Sequence, residues 1–574
     1  MTPRIRGNDY TVLDPPAVGS SWTPRLRVSL VVPAYAAQSK LDLTLAGLAV
    51  QTYPADLIEV IVVDNGSEPP LSLPDIRPEN TRLLVCPTPG RAAARNMGLA
   101  AATGDVIHWM DSDIVPEREE VEAHMRWHHL APYLSVTSYL RFTTAPLPDA
   151  KEVAEAEDLA KFFEPTEPHA WIQDLVDRTD GLTRTRRAFS IHIGGATSVG
   201  ARLFERAGPM DPDMVLGQDT EMGYRLAQAG AVFIPDPEAR AYHLGPSMRM
   251  RDAVSISRVS HPLVADRVPV YRWLRKHPTR QWKVPLLEVV VDAAGASCDD
   301  VMATVDAVLA GTLTDLSVLV TGPWDEIRPE QRAPLTDPHL DLVLLRAHYG
   351  HESRVRLVSG LSDSVAPFRL RLPPGWAPGE DTLSQILALA QERDLGLVSI
   401  LLAEDPEGIT AARLECTEAF ARAALLVPPH EADGEGETMA HGDGGDGDGG
   451  DVDAFVDEVF GTFWVDGETY GFTSGSEAGP FPSVRAAYRA RVQAQAEVER
   501  LTKEVERIRG QVARWREEAG RWRRTAVGYR REVGTLRRQV STLRRTQARR
   551  GLRSLRRIKV LARGLTRTFN GRNP

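Results

Sequence analysis

Trp109-Met110-Asp111-Ser112-Asp113 closes the apolar run Val106 to Met110, and its reading decides the fold of the first half of the chain. A short apolar run ending in acids reads as a buried strand whose last residues face a cleft. Upstream, Val60-Ile61-Val62-Val63 ends in Asp64-Asn65-Gly66-Ser67, and Val28-Ser29-Leu30-Val31-Val32 ends at Pro33. Leu41 to Gln51 and Arg91 to Ala102 carry helical spacing between these runs. Such alternation predicts an α/β domain with a mainly parallel sheet covered by helices. Ligands of such sheets bind at the carboxyl ends of the strands, where Asp64 and Asp111 both fall. A third acidic segment, Leu216-Gly217-Gln218-Asp219-Thr220-Glu221, follows. Acids at three segment ends point to a metal, a nucleotide and a base gathered in one cleft.

Four motifs stand in order at compatible spacing: Val31-Val32-Pro33-Ala34-Tyr35, Val62 to Ser67, Gly90-Arg91 with Ala94-Arg95-Asn96-Met97-Gly98, and Asp111-Ser112-Asp113. Together they resemble the signature of family 2 glycosyltransferases with a GT-A (Rossmann-like) fold, over roughly residues 25–250. Gly194-Gly195-Ala196, Phe204, Gly208, Asp211 and Gly217 to Leu226 resemble the C-terminal half of galactosyl- and N-acetylgalactosaminyltransferase domains, including chondroitin-synthase-type enzymes.

A sugar nucleotide leaves as a diphosphate, and a divalent cation on hard carboxylate oxygens offsets the growing charge. Asp113 is the expected ligand of Mn2+ or Mg2+. The resemblance places Asp111 and Ser112 near the ribose or the metal's water shell, and His243 as a further metal ligand. Asp64 is expected to accept hydrogen bonds from the nucleotide, beside the backbone of Pro33, Ala34 and Tyr35. Arg95 either approaches the nucleotide or makes a structural ion pair. Gly194 and Gly195 complete the donor-binding set. The acceptor hydroxyl must lose a proton, which a positioned carboxylate takes. Asp219 matches the family's base, with Gln218 where the family has Glu, and Glu221 is the fallback base. Trp171 and Arg184, Arg186 and Arg187 face the acceptor or form a solvated loop.

A second α/β segment, 285–478, reads as a degenerate GT-A-like copy of the first domain, 25–275. Leu287 to Asp292 parallels Val28 to Pro33, and Leu316 to Val320 parallels Val60 to Asp64. Aligning Pro378 with Pro116 sets Pro373-Pro374-Gly375 against Asp111-Ser112-Asp113, so the acids are absent there. Residues 1–24 read as a disordered lead-in. The Asp/Gly tract 431–453 reads as a flexible acidic insertion rather than a calcium loop, because it matches no EF-hand spacing.

Val498, Val505, Val512, Ala519, Ala526, Val533 and Val540 recur every seven residues, each followed three later by Leu501, Ile508, Trp515, Trp522, Tyr529, Leu536 and Leu543. These are the a and d positions of a coiled coil, 484–550. Glu504, Glu518 and Glu532 at g, with Arg509, Arg523 and Arg537 at e, fit a parallel homodimer. The basic amphipathic tail, 551–574, suits an anionic membrane surface. Nucleic acid is the lesser alternative, since no base-reading motif accompanies the charge.

Composition sharpens this division. The net charge of −10 hides 27 Lys or Arg against 7 Asp or Glu from Ser483 onward, and 41 against 71 before it. No apolar stretch approaches the roughly 20 residues of a membrane span. Met1 to Trp22 lacks the layout of a secretory signal, and Cys86, Cys298 and Cys416 are isolated. The expected location is cytoplasmic, or peripheral on the inner face of the plasma membrane. The function implied is an inverting, metal-dependent glycosyltransferase moving a sugar from a nucleoside-diphosphate donor, UDP by resemblance, to a cell-surface glycan or lipid-linked acceptor. The alternative is a catalytically silent scaffold of an envelope-polysaccharide assembly.

Overall fold

The computed structural model describes residues 2–327, 334–406, 408–427, 449–475 and 484–568, with side chains in the last segment described from 500 to 550. The chain forms two compact units, Met1–Ala478 and Gly479–Pro574.

The first sheet contains β1 (Val28–Ala34), β2 (Ile58–Asp64), β3 (Thr81–Val85), β4 (Val106–Met110), β5 (Ile114–Pro116), β6 (Leu134–Thr143), β7 (Thr166–Pro168), β8 (Ala196–Gly200) and β9 (Val232–Leu244). Their order is β3-β2-β1-β4-β8-β6-β9-β5, with β7 paired to β6. β2 and β4 are buried along their whole length, and β1 at every residue but Pro33. That is why their sequences are continuous apolar runs: central parallel strands are covered on both faces. Parallel registers pair Val28 with Ile58 and with Val106. All three strands therefore end at one edge, and Asp64 and Asp111 emerge together. Gly98 explains itself at the helix Arg91–Ala101: an added Cβ would stand 2.2 Å from Val31 Cγ1, so only glycine lets this helix approach β1. The sheet is mixed, because β8 runs antiparallel to both β4 and β6.

A second sheet is built from β10 (Leu287–Asp292), β11 (Leu316–Thr321), β12 (Val355–Val358), β13 (Phe368–Arg371), then β15 (Leu397–Asp405), β16 (Gly408–Cys416) and β17 (Thr462–Asp466), with β14 (Trp376–Pro378) pairing separately with β18 (Phe472–Ser474). Its order, β12-β11-β10-β13-β16-β15-β17, repeats that of the first sheet from β3 to β9. Even the short pair recurs: Pro116 faces Ala241 and Ile114 faces His243, while Pro378 faces Phe472 and Trp376 faces Ser474. Val28 and Leu287 open equivalent strands, paired with Val106 and Phe368. Counting along β4 and β13 then sets Asp111 and Asp113 against Pro373 and Gly375. One registration differs from the sequence alignment. Val28 pairs with Ile58 and Leu287 with Leu316, so Asp64 corresponds to Gly322 rather than Val320.

The two sheets belong to one compact unit, so the boundary expected between 275 and 285 is not a break in packing. A single buried cluster runs from Val31 and Trp109 through Leu287 and Val318 to Val398 and Phe472. Arg422, fully buried on the helix Thr417–Leu426, donates to the carbonyls of Gly230 and Ala231 at 3.0 and 3.1 Å and pairs with Glu418 at 2.9 Å. Its guanidinium also reaches the carbonyls of Ile5 and Gly7. The expectation of a disordered lead-in is thereby corrected for residues 2–24. Ile5 is wholly buried, Asn8 exchanges two hydrogen bonds with the Phe233 backbone, and Trp22 donates to Glu122. The physical reason is long-range contact, through the burial of Ile5 and side-chain bonds to distant segments, which composition does not encode. The three cysteines are free and buried.

Val484–Thr568 is one continuous helix. Leu501, Trp515, Trp522, Tyr529, Leu536 and Leu543 on its heptad stripe are all exposed. No helix among the described residues is long and apolar enough to cross a membrane. The expected acidic insertion lies outside the described residues from 431 to 448, and its remainder enters the helix Gly449–Val459. The tail side chains, 551–574, also lie outside them.

Candidate active site

A cavity of about 1030 Å³ opens at the carboxyl edge of the first sheet. Pro33, Ala34, Tyr35, Arg95, Asp111, Ser112, Asp113, Asp219 and His243 all line it. Residues read from five separate sequence segments thus meet in one space.

Asp113 is one of the lining acids. Its carboxylate is 3.3 Å from Lys40 Nζ and 3.7 Å from His243 Nε2. His243 Nδ1 lies 2.7 Å from the Gly245 carbonyl, which only a ring N–H can satisfy. Nδ1 therefore carries a proton, and Nε2 faces Asp113. An imidazole oriented by a carbonyl in this way is the arrangement of a metal ligand. A carboxylate and a neutral imidazole suit Mn2+ well and Mg2+ less well. Lys40, which also donates to the Leu244 carbonyl at 2.6 Å, supplies the positive charge that Asp113 meets within the protein.

Asp111 is held by Arg95, whose Nη2 donates to Asp111 Oδ1 at 2.7 Å and to the Gly194 carbonyl at 3.1 Å. Arg95 is buried and resolves into an ion pair that also lines the cavity. Burial raises the Asp111 carboxyl above the usual range; Arg95 opposes this, while Asp113 and Asp219 add to it. The glycines explain the crowding. A Cβ on Gly194 would lie 2.6 Å from Asp219 Oδ1 and 2.7 Å from Arg95 Nη2, and one on Gly195 would lie 2.9 Å from Asp111 Oδ2. Neither glycine lines the cavity; both let the acids and Arg95 close up beneath it.

Asp64 does not reach the cavity. Its carboxylate accepts from the backbone N–H of Ser67 at 2.9 Å and of Leu71 at 3.0 Å. Burial alone would raise its carboxyl, but these bonds outweigh burial and hold it below the usual range. Asp64 shapes the loop whose Asn65 lines the cavity and whose Ser67 Oγ accepts from Ala36 N at 2.9 Å.

Asp219 sits in the first turn of the helix Gln218–Gln228. It does not cap that helix: Gly217, at φ +86°, occupies the N-cap with no side-chain bond. Asp219 Oδ1 is buried with no hydrogen-bond partner. Glu221 is a correction. Arg225 holds it in a two-point pair at 2.6 and 2.8 Å one turn along the helix, and it does not line the cavity where a base would act. The acceptor-side cluster divides three ways. Trp171 and Arg187 line the cavity, with Arg187 stacked 5.1 Å over Trp273. Arg184 is exposed beside Asp180, and Arg186 pairs with Asp394 of the second sheet region.

Sequence reading missed Lys40 and His192. His192 is buried in the cavity wall with both ring nitrogens unpartnered, and burial lowers its pKa to about 4 against the attraction of Asp219. Its nearness in sequence to Gly194-Gly195 was the available signal. Lys40 had none, because a lone lysine in a helix pattern reads as solvated.

Comparison with known proteins agrees with these motifs. The model of glycosyl transferase family 2 matches residues 29–191. Chondroitin synthase of Escherichia coli is 26% identical over 364 residues, 58% of this chain and 50% of that protein. Hyaluronan synthase of Pasteurella multocida is 25% identical over 367 residues, 59% of this chain and 36% of that protein. The chain thus spans half or less of the length of these relatives. Among solved structures, a mannosyltransferase from Pyrobaculum calidifontis in complex with GDP-Man and Mn2+ is 19% identical, covering 43% of this chain and 68% of that one, at a TM-score of 0.28. Residues 29–191 are thus the part of this chain that is similar to glycosyl transferase family 2.

Proposed function

We propose that this protein is an inverting, metal-dependent glycosyltransferase acting from the cavity of the first sheet. The observation that carries the reading is Asp219: a buried, unpartnered carboxylate oxygen in the wall of the cavity that also holds Asp113 and His243. The Asp219 carboxylate takes the proton of the acceptor hydroxyl as its oxygen bonds the anomeric carbon. The bond from that carbon to the diphosphate breaks on the opposite side, so configuration inverts in one displacement. Asp113 and His243 would hold Mn2+ or Mg2+, which when bound offsets charge on the diphosphate. Arg95 keeps Asp111 in place beneath it, and Lys40 supplies further positive charge.

The donor is a nucleoside-diphosphate sugar, with UDP favoured by the resemblance and by the named synthases among the relatives. The acceptor is a hydroxyl of a cell-surface glycan or a lipid-linked precursor. The second sheet region is a degenerate GT-A-like domain, supported by its repeated strand order and by Pro373 and Gly375 where the first has acids. The heptad stripe of the long helix pairs two chains in parallel, and the basic tails meet an anionic membrane together, which raises avidity without new contacts. This keeps the enzyme cytoplasmic and peripheral.

Donor hydrolysis and transfer by purified protein, with and without Mn2+, test the reading. Manganese-dependent release of UDP supports it. An intact fold that binds no nucleotide sugar would leave the silent-scaffold reading in its place. Truncation after Pro482 should yield a monomer that keeps donor hydrolysis and no longer sediments with anionic vesicles. A truncated protein that remains dimeric would remove the coil as the interface.

A further inference from the structure

Behind the strand that ends in Asp111 and Asp113 lies a polar cluster that the proposed reaction does not use. His108 is on β4, Glu120 and His124 are one turn apart on the helix Glu120–His128, and all three are wholly buried. We infer that His108, Glu120 and His124 form a structural transition-metal site, with zinc as its natural occupant.

The geometry is the first support. His108 Nε2 is 3.3 Å and His124 Nε2 is 3.1 Å from the same oxygen, Glu120 Oε1. Zinc binds nitrogen and carboxylate oxygen at about 2.0–2.2 Å in a tetrahedron, whose edges are then about 3.3–3.6 Å. One candidate donor atom from each of the three residues lies within 4.8 Å of the others. Ser138 Oγ, 2.7 Å from both His124 Nε2 and Glu120 Oε1, offers a neutral oxygen for the fourth corner. His124 Nδ1 is 2.7 Å from Ser198 Oγ, the kind of outer contact that orients a metal-bound imidazole. Two imidazoles and one carboxylate are borderline ligands that suit zinc better than magnesium.

The second support is what the cluster lacks. Neither ring nitrogen of His108 nor Glu120 Oε2 has a hydrogen-bond partner, although all are buried. A buried carboxylate needs a counter-charge. The polar side chains around Glu120 Oε1 are these two histidines and Ser138. A metal ion meets the three donor atoms at once; a proton bridges only two.

The third support comes from the repeated half. Along the equivalent strands and helix, His108, Glu120 and His124 correspond to Leu370, Thr382 and Ile386, all buried. Ser198, opposite His108, corresponds to Leu414, opposite Leu370. This architecture closes its core at these positions without the polar cluster, so the fold alone does not call for it. A metal here would tie β4, β6, β8 and the helix Glu120–His128 together under the acids of the cavity.

Elemental analysis of the full chain, produced in zinc-supplemented medium and purified without a metal-affinity tag, tests the site. The expected result is about one zinc per chain, retained through EDTA dialysis that removes manganese-dependent UDP binding. Asp113→Ala should keep that zinc, and the triple variant His108→Leu, Glu120→Thr, His124→Ile should fold and lose it. Cobalt-grown protein should show the visible absorption of a four-coordinate ion. Zinc-free wild-type protein with normal folding would overturn the inference in favour of a shared proton. Loss of the zinc in Asp113→Ala would move the metal to the cavity. Should the triple variant not fold, the zinc content and cobalt spectrum of wild type still decide.

Discussion

The two halves of the globular unit share a strand order and differ where the strands end. In the first, β4 runs into Asp111 and Asp113, and β9 brings His243 opposite Ile114. In the second, β13 leads to Pro373 and Gly375, and β18 brings Ser474 opposite Trp376. The same scaffold therefore carries two carboxylates and an imidazole in one copy, and a proline, a glycine and a hydroxyl in the other. Fold is set by the buried runs, which both halves keep. The acids and the imidazole on which the proposed chemistry rests stand just beyond them, in one half.

The largest effect should come from breaking that asymmetry at the base. Asp219→Asn keeps the shape of the side chain and removes its ability to take a proton. Turnover should fall roughly 10²–10⁴-fold with donor affinity kept, the usual worth of a general base. Steady-state kinetics beside UDP titration read the two separately, and near-normal turnover would remove Asp219 from the role. Glu221→Gln should disturb stability through Arg225 rather than abolish chemistry.

The seam between the halves gives the next effect. Arg422→Ala leaves Glu418 and the backbone carbonyls of Gly230 and Ala231 without their buried donor. Breaking a buried, hydrogen-bonded charge pair costs about 3–5 kcal/mol. Chemical denaturation should show this loss in a single transition if the halves unfold together. Two separate transitions in wild type would show instead that the seam does not couple them.

A smaller effect follows from His192, held neutral in the first half's cavity wall. Its pKa in the fold, about 4, lies below its ordinary value of 6.5. The unfolded chain therefore binds the proton first, and stability rises with pH between these values. The contribution is fully present above about pH 6.5 and lost as pH falls towards 4, roughly 3 kcal/mol at most. Comparing His192→Gln with wild type across that window checks it; an unchanged difference would rule out the buried titration.

Much of this was legible in the sequence because it is local. The runs at 28–34, 58–64 and 106–110 announced central strands, and acids at their ends announced a cleft. Asp111, Asp113, Asp219 and His243 stand in motifs the sequence itself displays, and all four line the cavity. What the sequence hid was long-range. Lys40 meets Asp113 only through the packing of the helix Gln38–Ala49 against β5, and the lead-in is ordered by the burial of Ile5 and by side-chain-to-backbone bonds with segments hundreds of residues away. Asp64 stood in the right place, yet its carboxylate closes its own loop. Glu221 shared Asp219's segment but, two residues on, faces another side of the helix, where Arg225 takes it.

The central claim is that nucleotide and metal are handled in the first half alone, through Asp113. Calorimetric titration of the full chain with UDP in the presence of Mn2+ tests it most directly. One site per chain is expected in wild type, none in folded Asp113→Ala, and none in wild type with EDTA in place of Mn2+. Two sites per chain, or metal-dependent binding that survives Asp113→Ala, would contradict it.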